Sequence, residues 1–294
     1  MPRRAALPHR ARRAVLPGVI AGLIAGTLAL ASLPDATASP MAAGTSASFV
    51  DVSDDAGSVD ASAVLAEVDA AAGAAGGTVS VVVLDADGDL VLASGADESA
   101  YTASLVKLLV VTRLMQLDEC GALDLTARDV GLMEAAVTSS DDDAMSTLWV
   151  EHDGDRLVTD LADELDLTAT AAPDEAGQWG RATTTAADLA TFLSSLDEVL
   201  DADDSATLLG WMRSATDTAA DGFDQTFGLL SGSAGDGVAA KQGWMAGAGD
   251  LRQLHSAGVL ADGTVVVLLG AFPRSTSWAD AKAALDAAAA AIVA

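Results

Sequence analysis

The order of the secondary structure elements is the feature that most constrains the fold. Residues 59–72 have the apolar spacing of a helix that ends in glycines, and the β-rich segments 78–84 and 90–94 are joined through Asp87-Gly88, a hairpin signal. A long helical block follows, and strand-forming segments return only near the end of the chain. Because helices at both ends of such a chain would cover one sheet, the order predicts an α+β domain into which the helical block is inserted.

The later elements follow from apolar periodicity and from the turn residues between them. Asp262-Gly263 joins the last two strands, and Ser275 or Ser277 would cap the closing helix. We predict helices at 104–117, 140–150, 154–165, 185–200 and 203–214, strands at 238–244, 251–260 and 264–271, and a last helix at 278–293.

The first residues have the three parts of an export signal. Five arginines precede the first acid, Asp35, and an apolar run over 15–33 is followed by small residues at 36–38. We therefore predict a signal peptide over 1–38, a flexible linker over 39–57 and one domain over 58–294. An apolar run of this length could also stay uncleaved as a membrane anchor.

Composition excludes several classes of function. Hydrophobic residues make up 51% of the chain and charged residues 20%, as in a packed globular protein. Acidic residues outnumber basic ones 43 to 15, and the net charge of -28 excludes a nucleic acid held through its phosphates. The one cysteine, Cys120, excludes a disulfide scaffold and a cysteine-based zinc site.

A serine and a lysine lie on one face of the first helix of the block. Ser104-Leu-Val-Lys107 has the spacing that brings a hydroxyl next to an amine. A lysine with a lowered pKa can remove the proton of a serine, and backbone N–H groups at a helix start favour an oxyanion. The pair is a candidate nucleophile, although Lys107 could also extend along a core helix as an ordinary amphipathic side chain.

Two further motifs follow in the chain, Ser140-Asp141-Asp142 and Lys241-Gln242-Gly243. Together with Ser104-x-x-Lys107 they resemble, in type and order, the motifs of the penicillin-recognising SxxK serine enzymes, and most closely the class A β-lactamase-like serine hydrolases. This resemblance implies a β-lactamase/transpeptidase-like fold. Its five-stranded antiparallel sheet would be flanked by the N- and C-terminal helices, with the third motif on an edge strand. The sheet lobe would be formed by 58–100 and 233–294, and the helical lobe by 101–232.

The resemblance also implies roles for the four catalytic candidates. Ser104 would be the acylated nucleophile and Lys107 its proton partner. Ser140 would pass a proton to the leaving nitrogen, and Lys241 would keep the site positive. Without the resemblance, Ser140 could be a helix cap and Lys241 an ordinary strand lysine.

The substrate-binding candidates follow from the same motifs. Asp142, Gln242, Gly243 and Trp244 would contact the substrate, and the N–H groups of Ser104 and Trp244 would form an oxyanion hole. No metal or organic cofactor is expected.

Three departures from the family pattern bear on activity. Asp142 stands where the family has asparagine, and a carboxylate only accepts hydrogen bonds. Gln242 replaces a hydroxyl residue. The segment 167–183 lacks the Glu-x-x-x-Asn that positions the deacylating water, and its only acids are Asp174 and Glu175. The short stretch between Ser104 and Ser140 suggests an open cleft.

Other residues have simpler interpretations. His255 could face the site but is more simply a structural histidine, and His152 and Asp153 do not recur at metal spacing. Cys120 is most simply a small buried hydrophobic residue. The tryptophans would pack in the core or at a rim, with Trp244 the best candidate for a contact beside the third motif.

The leading hypothesis is an exported serine hydrolase that forms an acyl-enzyme through Ser104 and acts on a β-lactam or a peptidoglycan peptide amide. The alternative is a catalytically impaired binding domain of the same fold that recognises a cell-wall or protein ligand. We expect a monomer that is secreted or extracytoplasmic, with membrane contact only if the signal segment is retained.

Overall fold

A computed structural model describes residues 60–294. The predicted signal peptide and linker lie outside the described residues. Within 60–294, none of the helices combines the length and the apolar character needed to cross a membrane. In chain order the elements are α1 (Ala61–Ala74), β1 (Thr78–Leu84), β2 (Leu90–Ser94), β3 (Ala100–Tyr101), α2 (Val106–Glu119), α3 (Ala127–Thr138), α4 (Asp142–Glu151), α5 (Gly154–Glu164), β4 (Thr183–Thr184), α6 (Ala186–Ser194), α7 (Leu196–Val199), α8 (Ala202–Arg213), β5 (Ala239–Ala248), β6 (Leu251–Val259), β7 (Val265–Pro273) and α9 (Trp278–Val293).

The main sheet joins the two ends of the described chain. Its strand order is β2-β1-β7-β6-β5, and every neighbouring pair is antiparallel. β1 pairs with β7 along its whole length, so the first hairpin and the last three strands form one sheet. The α+β class, the five antiparallel strands and the edge position of the third motif on β5 are all confirmed.

Both faces of the sheet are covered. Val266 and Leu268 of β7 face a core formed with α1 and α9, whereas Val265, Val267 and Leu269 face the helical block. Because alternate residues of a strand point to opposite faces, a strand covered on both sides has to be apolar at nearly every position. This explains the continuous apolar sequence of β7.

Helix α2 is the centre of the helical block. It is buried on nearly all sides, as expected for a helix that is apolar around most of its circumference. Lys107 lies in its first turn and is fully buried. A buried ammonium requires hydrogen-bond partners, and these define the site described below.

The predicted boundaries of β1, β2 and α9 agree with the structure, and Ser277 caps α9 by accepting from the Asp280 amide. The prediction of one helix over 185–200 is wrong, because the chain breaks at Ser195 into α6 and α7. Helix α3 was not predicted. It begins with a capping box in which Thr126 and Asp129 exchange hydrogen bonds.

Candidate active site

Ser104 lies in a short 3-10 turn, Ala103–Leu105, just before α2. Ala103 has φ of 46°, a left-handed conformation that is strained for any residue with a Cβ. The turn packs against β5 at Gly243. A Cβ at Gly243 would lie 3.2 Å from the Thr102 carbonyl oxygen, so the glycine permits this close approach.

Lys107 has a full set of hydrogen-bond partners. Its Nζ donates to the Ser140 carbonyl oxygen at 2.7 Å, to Ser140 Oγ at 3.2 Å and to Asp142 Oδ1 at 2.7 Å. An ammonium has three protons, so these contacts use all of them. The loop before α4 thereby holds the lysine of α2.

Lys241 reaches the same serine from the edge strand. Its Nζ lies 2.8 Å from Ser140 Oγ and 2.8 Å from the Gln242 carbonyl oxygen. Ser140 has φ of 51°, in the left-handed region. Two lysine amines therefore meet at one hydroxyl, and the three groups form a path along which a proton could move.

Burial makes both lysines easier to deprotonate. It is the main cause that lowers the pKa of Lys107, and the Asp142 carboxylate opposes this shift. The pKa of Lys241 lies well below its ordinary value, first because of burial and then because of the charge on Lys107. The site thus favours loss of a proton from this pair.

A cavity of about 250 Å³ opens beside the 3-10 turn. Trp179 and Trp244 are two of its walls, and the Trp244 indole donates to Asp221 at 3.1 Å and stacks on Phe223. The cavity is lined by Ala103, Ser104, Asp142, Gly177, Gln178, Trp179, Gly180, Arg181, Trp244 and Met245.

Most of the predicted site residues converge here. Ser104, Asp142 and Trp244 line the cavity, and Lys107, Ser140 and Lys241 form the connected group described above. Gly243 lies behind the serine and spaces the turn from β5.

Gln242 is the exception. It is 1% exposed, and its amide donates to the carbonyl oxygens of Gln225 and Phe227. Its donor is therefore directed to the backbone of a neighbouring loop, and Gln242 is not among the described residues that line the cavity.

Arg181 and Trp179 line the cavity and were missed as site residues. They lie in a three-residue 3-10 turn, Trp179–Arg181, which is too short to give a periodic pattern. A basic residue in so acidic a chain was nevertheless a usable signal. Arg181 pairs with Glu175 at 3.1 Å. Neither Glu175 nor Asp174 lines the cavity.

His255 is a buried residue whose Nε2 lies 2.9 Å from the Tyr101 carbonyl oxygen, and burial lowers its pKa to about 4. This agrees with the expectation that His255 is a structural histidine.

The expectation that Cys120 is buried is wrong, since Cys120 is exposed at the end of α2. His152 lies near Asp129 and Glu151, whose carboxylates already bond to Thr126 and Arg128.

Comparison with known proteins gives matches of sequence and of fold. Residues 63–130 match the family model described as "Beta-lactamase enzyme family". The curated protein "Putative lipoprotein LppW" of Mycobacterium tuberculosis is 32% identical over 192 residues, which cover 64% of this chain and 61% of that protein. The match thus spans about three fifths of the length of that relative.

Two solved structures share the fold. The β-lactamase from Chitinophaga pinensis has a TM-score of 0.64 at 14% identity, covering 79% of this chain and 98% of its own. An ancestral class A β-lactamase has a TM-score of 0.60 at 21% identity, covering 80% of this chain and 99% of its own. This chain therefore has the β-lactamase fold, and part of its sequence matches the β-lactamase enzyme family.

Proposed function

We propose that the protein is a serine hydrolase that forms an acyl-enzyme at Ser104 and acts on a β-lactam or a peptidoglycan peptide amide. The observation that carries the proposal is the group Lys107–Ser140–Lys241, in which two lysines with lowered pKa values bond to one hydroxyl beside a cavity lined by Ser104. This arrangement can take up a proton and return it.

The acylation step that we propose uses these groups together with Ser104. Neutral Lys107 accepts the proton of Ser104, whose Oγ bonds to the substrate carbonyl carbon, and the amide C–N bond breaks. Ser140 donates its proton to the leaving nitrogen, and the lysines that bond to it replace that proton. The N–H groups of Ser104 and Trp244 would stabilise the oxyanion.

Deacylation is expected to be slow. Among the described residues that line the cavity, Asp142 is the only carboxylate, and its Oδ1 is held by Lys107 at 2.7 Å. A hydrolytic water needs a base that is free to accept its proton. We therefore expect the acyl-enzyme to accumulate, as in a slow penicillin-binding protein.

Intact-mass measurement of the purified protein after incubation with benzylpenicillin tests the proposal. We expect a gain of one ligand mass in the wild type and none in Ser104→Ala. The absence of an adduct over hours at high ligand concentration would overturn it.

One observation favours a binding domain as the second candidate. The ion pair of Lys107 with Asp142 favours the protonated lysine and opposes the effect of burial, and a protonated lysine is no base. A domain that only binds would keep its affinity for a peptidoglycan peptide in Ser104→Ala and would yield no product with either protein.

We also propose that the protein acts outside the cytoplasm. Two observations support this: the export-signal pattern over 1–38 and the name of the Mycobacterium tuberculosis relative, "Putative lipoprotein LppW". Retention of that segment would attach the protein to the membrane, and its removal would release a monomer. The mass of the protein recovered from the exported fraction distinguishes retention of residues 1–38 from their removal.

A further inference from the structure

The cavity beside Ser104 presents an exposed anion to a ligand. The Asp142 side chain is 60% exposed although its Oδ1 bonds to fully buried Lys107. Within residues 60–294, the protein hydrogen bond to this carboxylate is made through Oδ1, so Oδ2 is available to a ligand. The Asp221 carboxylate bonds to the indole of Trp244, a wall of the same cavity, and adds negative charge nearby.

Donors for an anionic ligand group are largely occupied. Gln242 directs its amide away from the cavity, and Lys241 is buried with its Nζ bonded to Ser140 and to a backbone carbonyl. Arg181 lines the cavity but is paired with Glu175. A carboxylate on a ligand would have to displace one of these partners or bind only the neutral amide of Gln178, which also lines the cavity.

A carboxylate such as Asp142 can only accept hydrogen bonds, so a group that contacts it must be a donor. A charged donor is bound more strongly than a neutral one, because both partners are then ionised. The net charge of -28 also favours the approach of cations to the protein and disfavours that of anions.

We propose, on the basis of the acyl-enzyme function argued above, that the preferred substrates carry an ammonium group on the acyl side, next to the reactive carbonyl. Oδ2 of Asp142 accepts from this ammonium while Ser104 attacks the carbonyl carbon. The substrate class is thus an amide or β-lactam of an amino-substituted acyl group.

Three penicillins with the same phenylacetyl framework test this selectivity. Ampicillin carries an α-amine, benzylpenicillin carries no charged substituent there, and carbenicillin carries an α-carboxylate. The rate of adduct formation is measured for each by intact mass at pH 6.5, where an α-amine is mostly protonated. We expect the order ampicillin, benzylpenicillin, carbenicillin, with about tenfold between the extremes.

Asp142→Asn should bring the three rates to within about threefold of one another. Asp141→Asn is the matched control. It removes the same charge one residue earlier, and asparagine keeps the helix cap that Asp141 makes with the Ala144 amide. The control should therefore retain the order.

Equal wild-type rates, or an order that persists in Asp142→Asn, would overturn the proposal and leave the acyl-enzyme function standing. The wild-type order decides the matter by itself if Asp142→Asn does not fold. If no penicillin gives an adduct, calorimetric binding of the three to Ser104→Ala separates the two proposals. Tighter binding of ampicillin would support the preference for an ammonium group and overturn acyl-enzyme formation. Equal or undetectable binding of the three would overturn both proposals.

Discussion

Two effects act in opposite directions on the proton of Lys107. Burial favours the neutral amine, whereas the Asp142 carboxylate 2.7 Å away favours the ammonium. Burial is the larger cause, so the pKa of Lys107 is lowered overall. Asp142 therefore sets how much neutral lysine is present at a given pH.

Asp142→Asn should shift the acid limb of the pH profile for acylation to lower pH. Removing the carboxylate removes the main cause that raises the pKa of Lys107, so the neutral base becomes populated at lower pH. The measurement is the rate of adduct formation with benzylpenicillin, whose acyl group has no ionisable substituent, between pH 5.5 and 9. A limb that moves to higher pH would contradict the assignment of Lys107 as base.

His255 should make the fold less stable in mild acid. Its pKa is about 4 in the folded protein, below the ordinary value of 6.5 given for histidine, so the unfolded chain binds more protons between these values. The stability from neutral His255 is complete above about pH 6.5 and is lost as the pH falls towards 4. Between pH 7 and pH 5 we expect a loss of about 2 kcal/mol in the free energy of unfolding.

Urea unfolding of the wild type and of His255→Gln at both pH values measures this effect. Glutamine keeps a donor for the Tyr101 carbonyl oxygen and cannot be protonated in this range. The variant should lack the 2 kcal/mol that the histidine contributes to the pH dependence, by the linkage above. Equal pH dependence in the two proteins would mean that His255 does not remain neutral.

Motif spacing could identify Ser104, Lys107, Ser140 and Lys241, because each motif fixes a residue type at a position that the fold brings together. It could not give the orientation of Gln242. Alternation along a strand says which side chains share a face, but the carbonyl oxygens that accept from this amide belong to a loop outside the sheet, 15 and 17 residues earlier in the chain. Such a contact follows only from the tertiary structure.

At the scale of elements, the packing of the 3-10 turn against β5 positions the nucleophile. Gly243→Ala should slow adduct formation about tenfold, because the new Cβ would lie 3.2 Å from the Thr102 carbonyl oxygen and 3.3 Å from Leu105. The turn would have to move by a few tenths of an ångström, at a cost of about 1–3 kcal/mol in stability. Adduct formation with benzylpenicillin and urea unfolding measure the two effects.

Gly131→Ala is the matched control. Gly131 lies exposed within α3, and a Cβ there would meet no atom within 4 Å. Alanine should raise the stability by about 0.5–1 kcal/mol and leave the adduct rate unchanged. A Gly243→Ala variant that reacts as fast as this control would show that the spacing of the turn does not matter for the reaction.

Helix α3 was missed in the prediction of secondary structure because its apolar pattern is weak. Its buried residues are few, and a glycine interrupts the apolar pattern, so the periodicity is weak. The signal that could have identified it is the capping pair of Thr126 with Asp129, three residues later. By contrast, β1 and β7 were predicted well because each is a largely apolar run next to an Asp-Gly turn.

At the scale of the whole molecule, repulsion between the acidic side chains lowers the stability of the folded state. The chain has a net charge of -28, and its folded form holds these charges closer together than the unfolded chain does. The ion pairs of the described residues, such as Arg128 with Glu151, involve only a small part of the acids. Screening should therefore stabilise the folded protein.

Raising the salt concentration from 10 mM to 300 mM NaCl at pH 7.5 should raise Tm by about 2–5 °C. The Debye length falls from about 30 Å to less than 10 Å over this range, which removes most of the repulsion between distant carboxylates. KCl should give the same increase, because screening depends on ionic strength and not on the identity of the cation. Differential scanning calorimetry measures the shift. If Tm falls or stays constant with salt, the repulsion between carboxylates is no stronger in the folded protein than in the unfolded chain.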